Sequence, residues 1–383
     1  MRKLHLVCLN VATVAATILF NGSISAQDLT VKIGHVAPTS GRIGLAGKAS
    51  ENGARLAIDE LNAKGVSIGG LKAKFELLAQ DDAADPSRST MVAQKLVGAK
   101  VNGVIGHLTS GTSIAASKIY SDAGIPQISP SATNPRFTRS GYKTTFRVLA
   151  DDTQLGSALG RYAVRELKAT RIVVIDDRSA YGQGMAEEFS KAAKAAGGNL
   201  VDAQYTNDTA TDFTEILTAA KSKNPDVVFF GGFALQAGPI INQMKQLGIN
   251  AKLMGGDGVC TADLPQQAGD AMTDGQVVCA EAGGVESGAP AMAKFRADFK
   301  QKFGTDPEYY ARYVYDAVMV MADAMVRAGS SDPAKYLPAL AATSGYSGVT
   351  GPITFDEKGD IRNGALTLLT YKGGKKEVVA VVR

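Results

Sequence analysis

Along the chain, short apolar runs alternate with segments whose apolar residues recur every three to four positions. That rhythm is the signature of parallel strand–helix–strand units. Residues 31–36 read as the first strand, a glycine-rich loop follows at 40–44, and Ala54, Ala57, Ile58 and Leu61 then repeat at helical spacing. Leu71, Ala73, Phe75, Leu77 and Ala79 alternate as a strand that ends at Asp81 and Asp82, and Pro86 stands at the first turn of a helix running to Ala99. Strands at 101–106 and 125–128 flank a helix at 114–122. The rhythm restarts near Asp152, where Leu155, Leu159, Tyr162 and Ala163 share a helix face, with strands at 172–175, 200–205, 227–230 and 253–254. The last third holds a strand at 277–280, helices at 291–303 and 308–328, and strand-like pieces at 353–355, 365–370 and 378–382. The pattern predicts an α/β fold in two lobes, and parallel sheets bind ligands outside the carboxyl ends of their strands.

Length agrees with two units, since 383 residues exceed one ordinary compact core. Arg2 and Lys3 precede an apolar run from Leu6 to Phe20 and a small, polar exit at Asn21–Ala26. This is the layout of a secretory signal peptide, and the run is too short to span a bilayer. Cleavage after Ala26 removes two cations and no acids, lowering the formal net charge from +4 to +2. So small a charge gives no reason to expect nucleic acid or an anionic membrane surface as partner. Cys8 leaves with the signal. Cys260 and Cys279 remain, an even pair for an oxidising compartment: either one disulfide or two buried thiols. With His35 and His107 they make no plausible zinc set.

The loops after strands carry the candidate chemistry. Ser110, with Thr109, Thr112 and Ser113, joins hydroxyls to the free amides of a helix start, which together suit an anion, or Thr112 or Ser113 merely caps the helix. Ser129, Ser131 and Thr133 bring a second hydroxyl cluster to the same sheet edge. Asp257, between glycines, is placed to take an ammonium group, although a turn aspartate is its commoner fate. Tyr181 and Phe233, each beside glycine after a strand, read as pocket walls. Enzyme signatures are weak: Gly182 and Gly184 begin a dinucleotide pattern that Glu187 breaks, and no nucleophile elbow or phosphate loop occurs. Asp81 and Asp82 read as a solvated strand end with a capping role, and His107 as a structural hydrogen-bonding residue.

Several stretches resemble the periplasmic leucine/isoleucine/valine-binding proteins of ABC transporters. They include Ala57–Gly65, Asp81–Ala83 with Asp85–Pro86, Val104–Leu108, Ser129–Thr133, Tyr181–Gly184 and Gly351–Asp360. The resemblance implies a type I periplasmic binding protein, two Rossmann-like three-layer lobes joined by a three-strand hinge. Lobe one would comprise 27–148 and 280–354, and lobe two 149–279 and 355–383. It implies an exported, monomeric solute-binding protein, without cofactor, metal or catalysis. Such a protein captures a small amino acid, with branched-chain or aliphatic ones favoured, and delivers it to a membrane permease. By position, Ser110 and Thr133 would hold the ligand carboxylate, the Ser131 carbonyl and Thr133 the ammonium, and Asp257, where glutamate is commoner, would neutralise it. Tyr181 and Phe233 match aromatic pocket residues. Ala46 stands where closed aliphatic pockets have tyrosine, and Ala84 and Thr109 where the family has a disulfide, so Cys260 and Cys279 would lie elsewhere, near the second crossing. Other readings are a binding protein for γ-aminobutyrate, an aromatic acid or an amide, a periplasmic ligand sensor, or an exported enzyme that would turn its ligand over.

Overall fold

The computed structural model describes residues 28–284 and 290–382, together with Met1. The signal segment read over 1–26 lies, apart from Met1, outside the described residues. The chain opens with β1 (Leu29–Val36), α1 (Gly44–Lys64), β2 (Ser67–Ile68), β3 (Leu71–Gln80), α2 (Pro86–Gly98), β4 (Gly103–Gly106), α3 (Ser110–Asp122), β5 (Gln127–Ser129), α4 (Arg136–Arg139) and β6 (Thr145–Arg147). These strands make one sheet in the order β2-β3-β1-β4-β5-β6, parallel except for the β2–β3 hairpin. Next come α5 (Asp152–Arg165), β7 (Arg171–Asp176), α6 (Ala180–Ala195), β8 (Asn199–Tyr205), α7 (Thr214–Ser222), β9 (Val227–Gly231), α8 (Ala234–Leu247), β10 (Lys252–Gly255), α9 (Leu264–Ala268) and β11 (Val277–Ala282). The chain then returns to the first sheet through α10 (Pro290–Phe303), α11 (Ala311–Ala328), α12 (Pro333–Ala341) and a small hairpin of β12 (Tyr346–Gly348) and β13 (Gly351–Ile353). It ends in β14 (Leu366–Lys372) and β15 (Lys375–Val382), antiparallel additions to a second sheet ordered β15-β14-β11-β10-β9-β7-β8.

Strand alternation decides which helices cover which face. On the second sheet, Ile172 and Val174 pack with Leu155, Leu159, Met185 and Phe189 of α5 and α6. Val173 and Ile175 face the other way, onto Leu217, Ile240, Ile241 and Leu264 of α7 to α9. The first sheet is covered by α2 and α3 on one side, through Val92, Leu96, Ala116 and Tyr120, and by α1 and α11 on the other. A period of two with both faces buried is what a central parallel strand requires. Gly156 and Gly160 let α5 approach α6 closely, because a β-carbon at Gly160 would lie 2.7 Å from the Ala193 nitrogen and the Phe189 oxygen.

Helix starts are set by local chemistry. Asp85 accepts from the amides of Ser87 and Arg88 with Pro86 in the first turn, and Asp151 and Gln154 form a reciprocal capping box. Thr109 caps α3, so this helix begins at Ser110, four residues before its apolar periodicity. The aspartate pair after β3 divides in a way the sequence did not indicate. Asp81 accepts from the Thr39 amide and the Ser40 hydroxyl. Asp82, expected to be solvated, is buried, 2.7 Å from His107 Nδ1, while His107 Nε2 lies 3.1 Å from the Tyr120 hydroxyl. Burial and the neighbouring His107 push His35 down to about 3, which keeps it neutral.

The chain passes between the sheets after β6, after β11 and after β13. Arg147, at the first passage, has no exposed surface. Its guanidinium donates to Asp360 Oδ1 at 3.0 and 2.8 Å, to the carbonyls of Ala132 and Asn134, and to the Thr138 hydroxyl. Asp360 belongs to the third passage, so one buried ion pair joins two of the three. Arg147→Met leaves this carboxylate only the Thr138 hydroxyl and Arg139 at 3.9 Å, and should cost about 3–5 kcal/mol in chemical denaturation. Cys260 and Cys279 form a disulfide between the loop after β10 and β11. Replacing both by alanine should lower the unfolding free energy by about 3 kcal/mol, read as a drop in melting temperature that reductant reproduces in the parent protein.

Candidate functional site

Two groups of side chains face each other across the gap between the sheets, and each sits where a strand has just ended. From the first sheet, Ser110 opens α3 after β4, while Ser131 and Thr133 follow β5. Ser110 Oγ accepts from the Asn134 amide (3.3 Å) and the Ser131 hydroxyl donates to the Leu108 carbonyl (2.6 Å), which brings the two loops together. The first amides of α3 stay available at the same edge, since the Thr109 side chain takes only that of Thr112. Thr133 is fully buried, and its hydroxyl has no hydrogen-bond partner among the described residues. This side of the gap offers neutral hydroxyls and amides, a setting for an anion.

From the second sheet, Tyr181 lies in the first turn of α6 after β7, Phe233 precedes α8 after β9, and Asp257 follows β10. The Tyr181 and Phe233 rings are 5.1 Å apart. The Tyr181 hydroxyl accepts from the Gly258 amide and donates to Asp257 Oδ1, both at 2.8 Å. The other carboxyl oxygen, Oδ2, accepts from Tyr310 at 2.9 Å. Tyr310 stands just before α11, which packs on the first sheet, so this bond crosses between the two halves. Asp257 is 2% exposed. Burial pushes its carboxyl up to about 6, opposed by the two tyrosine hydroxyls and aided by the charge of Glu281. Glu281 itself is paired with Lys376 at 2.5 Å.

All six candidate binding residues therefore gather on the facing edges, in two sets of three. Asn134 joins the sets by donating to the Ala180 carbonyl at 2.6 Å. Farther out, Arg42 and Asp208 form a half-exposed pair at 3.2 Å. A cavity of about 560 Å³ is bounded by Thr109 and Gly111 on one side and by Asp177, Tyr181, Phe233 and Gln236 on the other; of the six candidates Tyr181 and Phe233 line it, while Ser110, Ser131, Thr133 and Asp257 do not. Among the described residues no cluster of metal-ligating side chains is present, and no helix is long and apolar enough to cross a membrane.

Sequence reasoning missed Tyr310, Asn134 and Asp152. Tyr310 falls in an apolar segment read as plain helix. Asn134 is one polar residue among several in its loop. Asp152 stands beside Asp151, and only the geometry shows that Asp151 caps the helix while Asp152 turns inward, fully buried.

A cationic group at Asp257 needs the ionised carboxylate. Because the folded protein holds this carboxyl above its ordinary value, protonation competes as pH falls through about 6. The affinity of an amine-bearing ligand should therefore be nearly constant above that pH and drop roughly tenfold between pH 7 and pH 5, whereas Asp257→Asn should flatten the profile. Calorimetric titration across this range checks it.

Residues 30–376 match the periplasmic binding protein family. Leu/Ile/Val-binding protein homolog 1 of Brucella abortus (strain 2308) is 36% identical over 347 residues, covering 90% of this chain and 91% of its own. The leucine-binding protein LivK of Thermotoga maritima superposes with a TM-score of 0.84 at 28% identity, covering 92% of this chain and 98% of that one. The branched-chain amino acid binding protein LivJ of Streptococcus pneumoniae, solved with isoleucine, does so with a TM-score of 0.80 at 30% identity, covering 92% and 98%.

Proposed function

As the chain belongs to the periplasmic binding protein family, we propose that it is an exported solute-binding protein that captures a small amino acid and delivers it to the permease of an ABC transporter. Branched-chain and other aliphatic L-amino acids are the favoured solutes, in keeping with the names of the relatives above. The observation that carries the reading is the division of charge across the gap. Hydroxyls and helix amides stand on one edge, and the buried Asp257, held by Tyr181 and Tyr310, stands on the other. A zwitterion presents its carboxylate to the first and its ammonium to the second.

On this reading Ser110 and Thr133 bind the carboxylate, the Ser131 carbonyl and Thr133 take part of the ammonium, and Asp257 neutralises it, with Tyr181 and Phe233 as walls. The solute docks on lobe one (27–148 and 280–354), and lobe two (149–279 and 355–383) closes over it by a hinge motion of the kind periplasmic binding proteins use. The protein acts as a monomer in the periplasm after cleavage behind Ala26, and it returns its solute unchanged. A second reading draws on the cavity, whose 560 Å³ lies within the range of about 300–1,000 Å³ found for pockets that hold drug-sized ligands. Phe233 lines this cavity, and such room suits a larger solute, such as an aromatic acid.

The test is calorimetric titration of mature protein that has been unfolded and refolded to strip carried-over ligand. The panel is leucine, isoleucine, valine, alanine, phenylalanine, γ-aminobutyrate and benzoate. Tight binding of the aliphatic amino acids is expected, and a signal from benzoate alone would retire the ammonium role of Asp257. Asp257→Ala should weaken leucine binding by about 3–5 kcal/mol, because the buried ammonium loses its counter-charge. Leucine bound by this variant as tightly as by the parent would overturn the assignment.

A further inference from the structure

Behind the hydroxyl edge of the cleft lies a buried pair that the reading above leaves idle. Asp82 and His107 have no exposed surface. His107 Nδ1 lies 2.7 Å from Asp82 Oδ2, and its Nε2 lies 3.1 Å from the Tyr120 hydroxyl of α3. A carboxylate can only accept, so Nδ1 carries the proton and Nε2 is left to accept from Tyr120. Burial, aided by the charge of Asp82, holds the Tyr120 hydroxyl above its ordinary range, which keeps it a donor. With both nitrogens engaged, the His107 ring cannot turn without breaking a bond at each end.

The backbone that carries this ring is a hub for both loops of the hydroxyl edge. The Gly106 carbonyl accepts from Gln127 Nε2 at 3.0 Å. The His107 carbonyl accepts from the hydroxyls of Ser113 (3.0 Å) and Ser129 (3.4 Å), and the Leu108 carbonyl from that of Ser131 (2.6 Å). Ser129 Oγ in turn accepts from the Ala132 amide at 2.8 Å. Residues 106–108 thus space the start of α3, with Ser110, from the loop after β5, with Ser131 and Thr133. The other oxygen of Asp82 works on a third loop, where Oδ1 accepts from the Ala84 amide at 3.0 Å. Ala83 and Ala84 stand at φ of 51° and 60°, a left-handed conformation that alanine keeps only where its surroundings impose it. Residues 83–86 line the cavity between the two halves. One carboxylate therefore holds the rim of the cavity with one oxygen and, through His107, the hydroxyl edge with the other.

We propose that Asp82, acting through His107, is a positioning residue for the solute: it sets the spacing of Ser110 from Ser131 and Thr133, and it locks the cavity rim at 83–86 against that edge. The inference rests on the amino-acid reading above. Donors select an anion well only when held within about half an ångström of the productive geometry, and the residues behind them supply that precision. A charge-assisted bond in the dry interior resists displacement more than one in water does, which suits Asp82 to the task.

The test is a set of double-mutant cycles with L-leucine as the probe, titrated into the refolded parent and into Asp82→Ala, Asp82→Asn and Tyr120→Phe, each alone and combined with Ser110→Ala or Phe233→Leu. Asp82→Ala should weaken binding by roughly 10-fold, the scale of one lost hydrogen bond to a charged group. Asp82→Asn still accepts from the Ala84 amide and can donate to the other tautomer of His107, so it should recover most of that loss. With Ser110→Ala the losses should not multiply, because a misplaced hydroxyl has little left to lose; with Phe233→Leu, on the facing edge, they should multiply. A general loosening of the fold would move both combinations alike. Tyr120→Phe removes one hydroxyl and no charge, and should repeat the pattern on a roughly 3-fold scale, so it decides the question where Asp82→Ala does not fold. Losses that multiply fully with Ser110→Ala, parent-like binding by the folded Asp82→Ala or by Tyr120→Phe, or an asparagine variant no better than alanine would each overturn the proposal. A parent protein silent to every amino acid would instead bring down the amino-acid reading, and that outcome is seen in the parent titration alone.

Discussion

The buried guanidinium of Arg147 is the constraint on which the rest of the structure hangs. A charge with no exposed surface is tolerable only when its donors are matched, and here Asp360, Thr138 and the carbonyls of Ala132 and Asn134 receive them. Both carbonyls belong to the loop after β5, which also carries Ser131 and Thr133. Asp360 belongs to the last passage between the sheets. One side chain therefore fixes the shape of the loop that carries two of the candidate residues and ties together two of the three passages between the sheets. The cost of burying it is offset by geometry that no exposed pair would enforce.

Across the gap the electrostatics are asymmetric. The first edge carries no ionised side chain among Ser110, Ser131 and Thr133 and presents hydroxyls and the start of α3. The second edge holds Asp257, with Tyr181 and Tyr310 each donating to one carboxyl oxygen. Because Tyr310 comes from the half opposite to Asp257, the same bond that orients the carboxylate also spans the cleft. The group proposed to meet the solute's ammonium thus also makes a contact between the halves, and a ligand that altered Asp257 would alter their fit.

Much of the architecture was legible in the sequence. Period-two strands between period-3.6 helices indicated parallel units, and the six candidate residues do stand just past strand ends, where the sequence places them. The two sheets also settle the cysteine alternatives, since Cys260 and Cys279 meet in a disulfide. Short elements escaped. The strand β6 has three residues ending in an arginine, and α12 has nine with Pro338 inside it, so neither carries enough periodic apolar positions to be read. Asp82 was misjudged because an aspartate at a strand end is usually solvated, and nothing local reveals that His107, 25 residues on, will close over it.

What the sequence determined by itself is the kind of fold and the loops that carry chemistry, because both follow from local rules: side-chain period, capping, and the polarity of βα connections. What only the tertiary structure decided is which polar groups are matched and which are left over. Tyr310 reaches Asp257 from 53 residues away, Arg147 reaches Asp360 from 213, and Asp152, beside its capping neighbour Asp151, is buried with no hydrogen-bond partner by geometry among the described residues. A residue's hydrogen-bonding needs are written in its type. Whether they are met depends on what the folded chain brings within about 3 Å, and that distance is set by packing across the whole molecule.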